Sequence, residues 1–130
     1  MRFGPKENEM NQGIKLSVFE IVGSPLCVAS DDGQKVHDRI AAALKEGRKV
    51  SLSFLNITSI TSAFLNAAIG QLYGEFSEDA IRASLQVTDT APDDLALLKR
   101  VVDTAKAYFK DREGFSRAVN EVLGDETDAK

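Results

Sequence analysis

The sequence predicts a single α/β domain in which a mixed β-sheet is covered by helices, and three observations carry that expectation. The first is a change of apolar period: Val50, Leu52 and Phe54 alternate with Ser51 and Ser53, whereas Phe64, Leu65, Ala68, Ile69, Leu72 and Tyr73 recur at spacings of three and four. The second is that such changes repeat along the chain. Strands alternating with helices imply crossover connections, and crossovers imply parallel strands with helices laid over a sheet. The third is size, since 130 residues with 43% hydrophobic content suffice for one domain with a real core.

Each element follows from its local pattern. Residues 1–12 are polar, contain Gly4 and Pro5, and read as a flexible arm, leaving 13–123 as the domain and 124–130 as an acidic tail. A first strand is expected over 14–22, where Ile14, Leu16 and Val18 alternate with Lys15 and Ser17. Gly23, Ser24 and Pro25 then turn the chain into a short apolar run, 26–29, so the two segments read as a hairpin. Asp31 or Asp32 can cap the next helix, whose core stripe is Val36, Ile40, Ala43 and Leu44, and Gly47 stands where a left-handed terminating residue belongs. A strand over 49–57 leads into the helix that begins near Thr61 or Ser62. Within that helix Gly70 suits close packing and Gly74 suits termination. Residues 81–89 read as a further strand with Leu85 and Val87 in phase. Pro92 opens a long helix with the seam Leu95, Leu98, Val102, Ala105 and Phe109, and Asp93 and Asp94 at its positive end. A shorter helix is expected over 115–123.

The strand-to-helix turn carries four hydroxyls, Thr58, Ser59, Thr61 and Ser62, beside Asn56 and Asn66. Its sequence, Ile60-Thr61-Ser62-Ala63-Phe64-Leu65 followed by Gly70-Gln71-Leu72, resembles the STAS fold of anti-sigma-factor antagonists, and more closely the STAS-like family of unknown function. The resemblance takes in most of the chain and implies a STAS-like sandwich. It further implies a bacterial signal-transduction role: a non-catalytic regulatory module docking on an ATP-binding histidine-kinase-like or anti-sigma-type partner through Asn56, Thr58, Ser59, Thr61, Ser62 and Asn66. Two positions depart from the pattern. Ser53 stands where the family usually has an acidic residue, and Ala63 stands where the antagonists carry their phosphorylated serine, which leaves Ser62 as the candidate phosphosite. The alternative reading is a domain that senses a small ligand or nucleotide, since a helix N-terminus offers free N–H donors to a phosphate.

Composition and motif content narrow the remaining classes. A net charge of −4 with scattered acids argues against nucleic-acid binding, which needs a concentrated basic surface. No apolar run approaches the roughly 20 residues that span a bilayer, and the polar N-terminus lacks a secretory pattern, so a cytoplasmic protein is expected. Cys27 is the one cysteine and His37 the one histidine, which leaves no metal site and no cofactor expected; His37 reads as a helix-surface residue and Cys27 as a buried, inert one. With no Gly-x-Ser-x-Gly elbow and no base beside the serines near position 60, no enzyme activity is expected. The cationic positions Lys99, Lys106 and Lys110, interrupted by Asp103, read as a solvated helix face.

Overall fold

A computed structural model describes residues 13–129, with side chains as far as residue 110. The arm at 1–12 and the side chains of the tail at 124–130 lie outside the described residues. Strand β1 (Gly13–Ser17) is followed by α1 (Val18–Val22), β2 (Leu26–Cys27), α2 (Ser30–Lys45), β3 (Lys49–Ser53) and β4 (Ser59–Ile60). Then come α3 (Ser62–Ala68), a 3-10 turn (Gly70–Gly74), α4 (Glu78–Ser84), β5 (Leu85–Thr88) and α5 (Pro92–Ala129). This is the α/β architecture that the period changes predict.

Three strands form one sheet in the order β1-β3-β5, and β2 pairs with β4 in a second. Every pairing among the described residues is parallel. The expected hairpin, whose antiparallel pair would have made the sheet mixed, is therefore corrected. The chain leaves β1 after Ser17, turns through α1, and returns as β2 beside β4 instead of beside β1. Ser17 accepts a hydrogen bond from the Glu20 N–H at the start of α1, and Gly23, at φ 80°, closes it by donating to the Phe19 carbonyl. These caps override the strand-forming side chains of residues 18–22.

On β1 and β3 the apolar rows Ile14–Val50 and Leu16–Leu52 face the helices, and Val50 and Leu52 continue onto Leu85 and Val87 of β5. The other face of the sheet carries Lys15, Ser51 and Gln86 in one row and Ser17, Ser53 and Thr88 in the next. Leu16, Val36, Ile40, Leu52, Phe64, Leu65, Ile69 and Leu72 lie at the centre of the core. Leu65 and Ile69 are inside, as the helix stripe predicts.

Several local expectations change for identifiable reasons. Helix α2 starts at Ser30, with Ala29 at the cap position and no side-chain cap bond, so Asp31 and Asp32 sit within the first turn and interact with the helix dipole. Gly47 adopts φ 76°, the left-handed residue expected after α2. The helix beginning at Thr61 breaks at Ile69 and tightens into the 3-10 turn. Residues 81–84 belong to α4, because Ser77 caps the Ala80 N–H and starts a helix ahead of β5. On α5 the buried seam is Leu98, Val101 and Ala105, while Leu95 is exposed. Backbone α5 continues through 115–123, where a separate helix is expected.

Candidate functional site

The strand-to-helix turn is built by the second sheet. Because β2 and β4 are parallel, α2 and α3 leave it side by side, and they pack so closely that a Cβ on Gly33 would run into the Phe64 carbonyl oxygen and lie 2.8 Å from the Ala67 Cβ. Pro25 accepts hydrogen bonds from the Thr58 and Ser59 N–H groups at 2.8 and 3.4 Å, and Cys27 accepts one from Thr61 at 3.1 Å. The turn is thus held to a segment more than thirty residues away.

Thr61 is the joint of this construction. Its hydroxyl donates to the Val28 carbonyl at 2.7 Å and accepts from the Phe64 N–H at 3.2 Å, bracing β2 and capping α3 together. Thr58 adds a longer hydroxyl bond to the Pro25 carbonyl at 3.3 Å. Replacing Thr61 with alanine removes both bonds at once, so we expect a stability loss of about 1–3 kcal/mol in urea unfolding. Thr61→Ser should retain most of it. An alanine variant as stable as wild type would show that the brace is unimportant.

Of the residues singled out in the sequence, Asn56, Thr58, Ser59, Ser62 and Asn66 are exposed, and Thr61 is half-buried. Asn56 takes φ 71°, a conformation that asparagine tolerates. Ala63 is exposed as well. Three large apolar side chains are exposed close by in the chain or across the ladder: Leu26 on β2, Val28 just beyond it, and Leu55 at the entrance to the turn. The turn therefore presents apolar contact area beside hydroxyls and amides.

At the end of β3, Ser53 donates to the Asp89 carboxylate at 2.7 Å. A carboxylate just beyond β5 therefore meets Ser53, level with the Ser53–Thr88 pairing. Asp89 sits at φ 57°.

His37 departs from its expected surface position. It is buried, on the side of α2 that carries Gly33, Val36 and Ile40. Its Nε2 lies 2.9 and 3.1 Å from the two Glu75 oxygens, and its Nδ1 lies 3.0 Å from Asp38 Oδ1 and 3.1 Å from Gln34 Nε2. Either protonation state thus finds partners for both nitrogens. Bonds from His37 and then from Gln34 hold the Asp38 carboxyl below its usual range. Gln71 extends the network by donating to Gln34 at 2.9 Å and to the Ala67 carbonyl. The cluster fastens α2 to the end of the 3-10 turn, and the signal for it was the helical phase of His37 with Gly33 and Ile40.

Cys27 is fully buried; burial first, then the charge of Asp32, pushes its thiol up to about 11, so no reactive thiolate forms near neutrality. Among the described residues no group of three or more His, Cys, Asp or Glu side chains is placed to hold a metal. No helix among them is long and apolar enough to cross a membrane.

Residues 32–95 match the family model described as a STAS-like domain of unknown function (DUF4325). No curated protein and no solved structure matches the chain. The matched segment opens in the first turn of α2, contains β3, the braced turn, α3 and β5, and closes in the first turn of α5, so residues 32–95 of this chain are similar to the STAS-like domains of unknown function.

Proposed function

We propose that the chain is a non-catalytic regulatory module of the cytoplasm that docks on a partner protein through residues 56–62 and the exposed side of α3. What supports the reading is the composition of that surface. Asn56, Thr58, Ser59, Ser62 and Asn66 are exposed beside Leu26, Val28 and Leu55, a mixture of apolar area and adaptable polar groups typical of interaction sites. The backbone beneath is fixed by the bonds to Pro25, Cys27 and Val28. A rigid platform presents these side chains without a large ordering cost on binding. The resemblance to anti-sigma-factor antagonists supplies the kind of partner, an ATP-binding histidine-kinase-like or anti-sigma-type regulator. With a methyl group at position 63, binding is not switched by phosphorylation there.

The test is capture of such a regulator by the tagged protein, followed by titration of the purified pair. Leu55→Asp and Ser59→Arg should each weaken the complex at least tenfold while circular dichroism and urea midpoint stay unchanged. Undiminished affinity in both variants would refute this docking face. Incubation of the pair with ATP should leave the wild type unmodified, and Ala63→Ser should accept phosphate at that position. Stoichiometric phosphate on Ser62 in the wild type would instead make Ser62 the switch.

A further inference from the structure

Away from the turn, the contact between α4 and α5 leaves a cavity of about 200 Å3. Its walls are aliphatic: Ile81 of α4, Leu85 and Val87 of β5, and Leu98 and Val102 of α5. Tyr73, from the 3-10 turn, also lines it, and no described residue hydrogen-bonds its hydroxyl. Burial is the main influence on this phenol and pushes its pKa up, so the group is a neutral donor throughout the physiological range. A half-buried tyrosine beside an apolar space, with no partner for its hydroxyl among the described residues, carries a group whose hydrogen bond can be made to a guest.

The rim is charged and already paired. Lys106 Nζ lies 2.9 Å from Glu78 Oε2, and Arg82 Nη2 lies 2.7 Å from the same oxygen. The Glu78 carboxyl is accordingly held below its ordinary range and the Lys106 ammonium above its own. Arg82 Nη1 also lies 3.6 Å from Asp79 Oδ1, so two carboxylates match the two cations and the cavity offers no surplus charge to an ionic ligand. The Glu78–Lys106 pair ties α4 to α5 across the opening, and α4 itself is seven residues long with only Ile81 buried. An element so lightly anchored is the part of the wall most readily displaced.

We propose that this cavity binds a compact, uncharged molecule about the size of one ring, carrying a single hydroxyl or carbonyl group that bonds to Tyr73. An apolar cavity of roughly 150 Å3 accommodates benzene, so the size fits one ring and excludes a nucleotide. The ring lies against the aliphatic walls and the polar group meets the phenol. Entry separates α4 from α5 and breaks the Glu78–Lys106 pair for the time of passage. This site is distinct from the docking face and does not depend on it.

Phenol and toluene, titrated into the full-length protein and followed by amide and methyl NMR, test the assignment. Both should give saturable shifts at Ile81, Leu85 and Val102, with the signals of residues 56–62 unmoved. Tyr73→Phe, a substitution that preserves the packing, should weaken phenol binding about tenfold and leave toluene binding unchanged or stronger. Val102→Phe, which fills the space, should abolish both. Absence of saturable shifts at these residues in the wild type overturns the proposal, as does a Tyr73→Phe variant that binds phenol as tightly as the wild type.

Discussion

Gly33→Val is expected to disrupt the domain, and Gly33→Ala to cost about 1–3 kcal/mol of stability in urea unfolding, even though alanine is the better helix former by roughly 1 kcal/mol. The reason lies in what a side chain would meet. A Cβ at this position would collide with the Phe64 carbonyl oxygen, and it would lie 2.8 Å from the Ala67 Cβ and 3.2 Å from the Ala68 nitrogen. Two of those three atoms belong to the backbone of α3, which cannot rotate away as a side chain would. Helices α2 and α3 must move apart, and His37, one turn along on the same side of α2, would be drawn from Glu75. If the alanine variant proved more stable than wild type, propensity would have outweighed contact, and the approach of the two helices would be looser than described.

Leu65→Ala should cost about 2–5 kcal/mol, since the side chain is only 1% exposed and its removal leaves a cavity within the buried apolar cluster. Asn66→Ala, one residue further along the same helix, should change stability by no more than about 0.5 kcal/mol, because Asn66 faces solvent. The contrast is the informative quantity. Measured by denaturant midpoint, comparable losses at both positions would mean that α3 does not present one side to the core and the other to a partner.

How much of this was legible in the sequence depends on whether the deciding interaction was local. The stripe Phe64, Leu65, Ala68, Ile69 and Leu72 was readable, because helical period determines which side chains turn inward. Thr61 was one of two readable caps, and the exposed turn followed from its polarity. Residues 18–22 misled because Val18, Phe19, Ile21 and Val22 favour strands, although Ser17 and Glu20 stand at the spacing of a capping box and Gly23 at the spacing of a stop. The same competition, with Ser77 as cap, hid α4. The Thr61–Val28 and Ser53–Asp89 bonds were not legible, since they join residues 33 and 36 positions apart and nothing in either local pattern names the other partner. On α5 the seam drifts, so Val101 goes inside and Leu95 stays out.

The all-parallel pairing bears on how the domain folds. A hairpin can form from neighbouring residues within microseconds, but each pairing here first closes a loop of comparable length, with Leu26 meeting Ser59, Gly13 meeting Lys49 and Val50 meeting Leu85. Among the described residues no strand has a local partner to template it. The entropy of loop closure must therefore be offset by helix contacts made before the sheet is complete, and the close-packed pair α2 and α3 offers the largest such contact. Substitutions at Gly33 and Phe64 should thus slow folding, whereas those at Val87 on the last strand should chiefly hasten unfolding, a division that chevron analysis of the three variants would reveal.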